Sequence, residues 1–97
     1  MKGYWVAFVD VHDKDQYQNY LDLAPEALKK YGATMLSRGE EVTTIEGFSK
    51  APDRAVVFEF ESYEKALACY RSPEYQHARQ QREGCSFAHI LIMKGLN

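Results

Sequence analysis

Three stretches of this chain read as strands with no face left for water: Gly3 to Val11, Arg54 to Phe60 and Phe87 to Met93. Successive side chains of a strand point to opposite faces, so a sheet with one wet side alternates apolar and polar residues. In Gly-Tyr-Trp-Val-Ala-Phe-Val-Asp-Val, Arg-Ala-Val-Val-Phe-Glu-Phe and Phe-Ala-His-Ile-Leu-Ile-Met that alternation is missing. Both faces of the sheet therefore need cover. Helices between the strands can cover one face, and within 97 residues no further chain remains for the other. A second subunit is the expected cover.

The length is that of a single domain, 1–97. A chain this short buries roughly two-thirds of the surface it exposes when unfolded, so its core is modest and a deep private pocket is hard to build. Acids and bases are interleaved, with a net charge of -2, and no basic stripe of the kind that nucleic acid or an anionic membrane attracts is present. Cys69 and Cys85 match neither a disulfide framework nor a zinc spacing. Met1 leads straight into an apolar strand that Asp10 interrupts, which makes a poor signal peptide. No apolar run approaches the ~20 residues of a membrane span. The expected compartment is a reducing cytoplasm.

Between the strands the periodicity changes to that of helices. Asp13 offers a cap, with Gln16 three residues on, and Tyr17, Tyr20, Leu21, Ala24, Leu28 and Tyr31 form one stripe. Pro25 inside the stripe predicts a kink or a restart, and Gly32 a left-handed stop. Ala33 to Gly47 reads as mostly extended. Its break at Arg38-Gly39-Glu40 fits either a bulge in one long strand or a tight turn. Ser62 caps a short helix, Ser72-Pro73-Glu74 restarts it, and Gly84 ends it. Strand, helix, one or two strands, strand, helix pair, strand is the order of a ferredoxin-like βαββαβ fold of the α+β class. Its antiparallel sheet carries the helices on one face.

Particular residues along this order resemble a known family. They are Gly3-Tyr4-Trp5-Val6, Asp10-Val11, Tyr17, Tyr20, Pro25, Tyr31-Gly32, Arg38-Gly39, Glu46-Gly47, the strand Arg54 to Phe60 with Ser62, and Tyr70 to Tyr75. Over nearly its whole length the chain resembles the small bacterial proteins of domain-of-unknown-function family 1330. The resemblance implies the dimeric α+β barrel superfamily, in which two such sheets pack face to face. Relatives there include cofactor-free monooxygenases, muconolactone isomerases and haem-degrading enzymes. The chain departs from the family pattern at Glu40, Glu61 and His89, where a second Gly, a Pro and an acidic residue are usual.

His89 is the leading catalytic candidate. It shares a face with Phe87, Leu91 and Met93, and a neutral imidazole facing a barrel interior could act as a general base. The plainer alternative is a core or interface histidine held by one hydrogen bond. Glu59 interrupts an apolar face and needs a partner, for which Arg38 and Arg54 are the candidates; such an arginine could bind an anionic group or simply fix the strand register. Tyr17 and Tyr20 belong either to a pocket mouth or to the core. His77, Arg79 and Arg82 read as an exposed basic face, and three dispersed histidines give no metal site. No phosphate loop, dinucleotide fingerprint or serine elbow is present, so no cofactor is expected.

The expectation is thus a homodimer sheltering a small apolar or aromatic ligand, between sheet and helices or within the barrel. One reading is a cofactor-independent enzyme of oxygenase or isomerase type, with His89 as base and Arg38 or Arg54 binding an oxyanion. The alternative is a non-catalytic ligand-binding or stress-associated dimer.

Overall fold

The computed structural model describes residues 1–96. The chain runs β1 (Gly3–Val11), α1 (Lys14–Lys30), β2 (Thr34–Ser37), β3 (Arg54–Phe60), α2 (Tyr63–Arg71), α3 (Pro73–Gln80) and β4 (Ser86–Lys94). The strands form one antiparallel sheet in the order β2-β3-β1-β4, the ferredoxin-like arrangement. No helix among the described residues is long and apolar enough to cross a membrane.

Register divides the side chains cleanly between the two faces. Trp5 stands between Phe58 and Ile92, Ala7 between Val56 and Ile90, and Val9 between Arg54 and Ala88. These rows face the helices; Trp5, Ala7, Val9 and Phe58 are buried. Trp5 anchors the core, stacking on Phe60 and meeting Tyr75 edge-on at 4.9 Å between ring centroids. Burial of such a side chain is worth about 1.5–3 kcal/mol. On the other face Tyr4 stands between Glu59 and Met93, Val6 between Val57 and Leu91, and Phe8 between Ala55 and His89. Within the single chain that face is open, and Leu91, Met93 and Phe87 are exposed by half or more.

The helices begin where side chains satisfy their free amides. Asp13 accepts from the Gln16 amide, and Ser62 from that of Lys65. Ser72 Oγ accepts from the Tyr75 amide at 3.1 Å and donates to the Cys69 carbonyl at 2.7 Å, joining the end of α2 to the start of α3. Gln16 does not close a capping box. Its side-chain amide reaches instead to the carbonyls of Gln81 and Glu83, tying α1 to the turn before β4. The helix runs unbroken through Pro25, with no restart.

The extended stretch expected over 33–47 is largely absent. Only Thr34–Ser37 pairs with β3, with an irregularity between Met35 and Ser37. Gly39 then turns at a φ of 65°, so close to the sheet that a Cβ there would lie 2.5 Å from the Ala55 carbonyl oxygen. That turn takes the chain out of the ladder. The loop returns along the open face, where Phe48 meets Phe8 edge-on. Asp53 closes it: its carboxylate accepts from the Val11 amide, and its own amide donates to Asp10.

Candidate functional site

The two ends of the helical layer sit at different heights above the sheet. Helix α2 approaches β1, β3 and β4 closely, whereas α1 makes its close backbone approach to α3. Side-chain size explains the difference. α2 turns Ala66 and Cys69 inward, while α1 presents Tyr17, Tyr20, Leu21 and Leu28. Between α1 and the sheet these longer side chains leave a cavity of about 220 Å³. Its floor is Trp5, Ala7, Val9, Val56 and Ile90, and its roof is the apolar stripe of α1. Met35 of the edge strand and Lys29 also contribute to its wall.

The polar groups of this cavity are phenols and cations. The Tyr20 and Tyr75 hydroxyls share a hydrogen bond of 2.7 Å, and the Arg82 guanidinium lies 3.5 Å from the Tyr75 oxygen and 5.3 Å from the centre of the Tyr20 ring. Arg54 lies 5.7 Å from the centre of the Tyr17 ring. Burial, with Tyr75 beside it, holds the Tyr20 phenol well above its usual range. Burial likewise raises Tyr17, against the opposing pull of Arg54 and Arg82. Both phenols are therefore protonated donors at neutral pH rather than bases. Burial works against the Arg82 charge, but the neighbouring phenols outweigh it and raise its pKa, so it remains a cation.

Of the residues expected to form a site, the cavity gathers Tyr17, Tyr20 and Arg54. His89 does not join them. It lies opposite Phe8 on the open face, separated from Arg54 by the sheet itself, so the two cannot converge on one point within a chain. Glu59 is also on the open face, and neither arginine is its partner. It accepts from the Tyr4 hydroxyl at 3.0 Å and lies 3.9 Å from Lys2. Arg38 is exposed in the turn beyond β2, beside a shallow hollow lined by Leu36 and Glu40.

Arg82 is the residue that sequence reasoning placed wrongly. It is 8% exposed, not part of a solvated basic face. A signal for it exists, since Tyr75, Ala78 and Arg82 follow at spacings of three and four and continue the buried stripe of α3 past its last turn. Cys69 and Cys85 are free and buried. Burial pushes the Cys69 thiol up to about 12, which removes it as a nucleophile. Among the described residues no cluster of three potential metal ligands occurs.

The family described as a domain of unknown function (DUF1330) matches residues 2–96. No match was found among curated proteins. Several solved structures share the fold. A protein of unknown function from Rhodopseudomonas palustris, RPA0582, superposes with a TM-score of 0.79 at 16% identity, over 99% of this chain and 83% of its own. A dimeric ferredoxin-like protein from Jannaschia gives 0.71 at 8% identity, over 98% and 100%. SnoaB, a cofactor-independent oxygenase from Streptomyces nogalater, gives 0.67 at 7% identity, over 99% and 94%.

Proposed function

The chain belongs to the DUF1330 family, and from that premise we propose that it is a homodimer acting, without a cofactor, on a small apolar or aromatic metabolite held between α1 and the sheet. The observation that carries this reading is the cavity itself: about 220 Å³, walled by aliphatic and aromatic side chains, with phenols and guanidinium groups as its polar lining. Small-molecule sites have this composition, a mostly apolar concavity with a few directed polar groups. An oxygen atom of the bound molecule set against Arg54, Arg82 or the Tyr20 hydroxyl would meet donors already in place. Such donors stabilise the anion left when an acidic C–H or O–H of the substrate passes its proton to solvent water. An oxygenase or isomerase reaction starts from that anion. The fold relative SnoaB is described as a cofactor-independent oxygenase, which agrees with this reading by analogy of fold.

The homodimer rests on the apolar open face and on the dimeric description of the Jannaschia relative. His89, Glu59 and Tyr4 belong to that face and are assigned to the contact between sheets. His89 would serve as a base only for a molecule bound inside the barrel. The free cysteines fit a cytoplasmic protein.

A second reading, a non-catalytic ligand-binding or stress-associated dimer, is favoured by one observation. The residues lining the cavity include no imidazole and no carboxylate to take a proton. Mass spectrometry of copurifying small molecules separates the possibilities. Wild-type protein should carry an apolar molecule that Ala24→Phe, which fills the cavity, does not. Conversion of that molecule on incubation in air identifies an enzyme; unchanged recovery identifies a binding protein. Equal retention by Ala24→Phe would refute the cavity as the site.

A further inference from the structure

The charges around the cavity are of one sign. Lys29, Arg54 and Arg82 line it, and no aspartate or glutamate does. This is notable in a chain whose net charge is -2. Elsewhere five cations are paired with carboxylates, Lys30 with Glu74 and Arg79 with Glu83 among them. Arg82 has no carboxylate within 4.0 Å among the described residues, although it is more than nine-tenths buried. Its protein acceptors are phenols alone, the Tyr75 hydroxyl at 3.5 Å and the Tyr20 hydroxyl beside it. A guanidinium has five N–H donors, so most of the Arg82 fork is left for something that is not protein. A buried cation without a counter-charge is costly, and an anion supplied by a ligand removes that cost.

We infer that the ligand is an apolar or aromatic carboxylic acid, bound as its carboxylate against the Arg82 guanidinium, with its hydrocarbon body beneath α1. This rests on the cavity being the binding site, and it goes further by fixing the charge the ligand brings. Arg82 suits the task because its planar fork can hold two carboxylate oxygens at once. The Tyr20–Tyr75 pair behind it keeps the guanidinium in place.

Trp5 is the only tryptophan and forms part of the cavity floor, so its fluorescence reports occupancy directly. The probes are 3-phenylpropanoate and its neutral counterpart 3-phenylpropanamide, titrated against wild type, Arg82→Gln, Arg82→Lys and the surface control Arg71→Gln. Wild type and Arg71→Gln should bind the carboxylate at least about tenfold more tightly than the amide, as hydrogen bonds to a charged group require. Arg82→Gln should bind the two equally, with amide affinity unchanged, and Arg82→Lys should keep part of the preference. Equal binding of the two probes by wild type, or a preference that survives in Arg82→Gln, would overturn the carboxylate assignment and leave the cavity reading intact. Failure of both probes to change Trp5 emission would remove the cavity reading, and this inference with it. The wild-type comparison stands alone if Arg82→Gln does not fold.

Discussion

Tyr20→Phe keeps the ring that packs under α1 and removes the 2.7 Å hydrogen bond to Tyr75. One such bond is worth about 1 kcal/mol, so urea unfolding should show a loss of that size. The same residue sets a pH dependence. Because the folded pKa of Tyr20 lies well above the unfolded value, its contribution is fully present below about pH 10 and is lost as the pH climbs towards the folded pKa. Stability measured at about pH 9 and about pH 11 should therefore fall, and fall less in Tyr20→Phe. Recovery of the full decline in that variant would assign the effect to other phenols. Cys69, raised to about 12, should resist alkylation at neutral pH until the protein unfolds. At this scale the sequence was readable where spacing is regular, as at Tyr17 and Tyr20. Arg82 was misread: it continues the Tyr75–Ala78 stripe, but beyond the last turn of α3, where a charged residue is ordinarily solvated. Nor could pairing be read across strands: Glu59 takes its partner, Tyr4, from the neighbouring strand by register, not from the arginines that sequence suggested.

Element boundaries follow from a few residues whose roles are local. Ser72 ends α2 and starts α3 with one hydroxyl. Ser72→Ala should cost about 1–2 kcal/mol in chemical denaturation, the range for a lost cap together with a buried bond. Gly3 marks where β1 passes under the start of α2; a Cβ there would fall 2.6 Å from the Ser62 carbonyl oxygen and 2.7 Å from Tyr63 Cα. These are backbone atoms of the Ser62–Tyr63 stretch and cannot swing aside as a side chain would, so Gly3→Ala should lower the thermal midpoint more than Ser72→Ala does. The caps at Asp13, Ser62 and Ser72 were legible because each helix start needs such a side chain and the sequence supplies it in place. The edge strand was not. Residues 41–47 have strand-like composition, but after the Gly39 turn they have no ladder to join, and a partner strand is a property of the fold. Of the kink or restart expected at Pro25, the restart does not occur.

The molecule has two apolar surfaces to hide and helices for only one. That much was visible in β1, β3 and β4, because strands without alternation admit no other solution. Which side holds the cavity was not visible. It depends on α1 standing higher than α2, and so on tyrosines set against alanines across the helical layer. The open face presents Val6, Val57 and Leu91 in one row, with Phe8 and His89 in the next. Leu91→Asp places a charge at the centre of the contact and should yield a monomer whose helices are intact by circular dichroism. The most direct test of the whole account is the mass of the wild-type protein at low micromolar concentration by light scattering. A dimer gives twice the 11.2 kDa of the chain. A stable particle of 11.2 kDa would contradict it, since the open apolar face would then be tolerated in water.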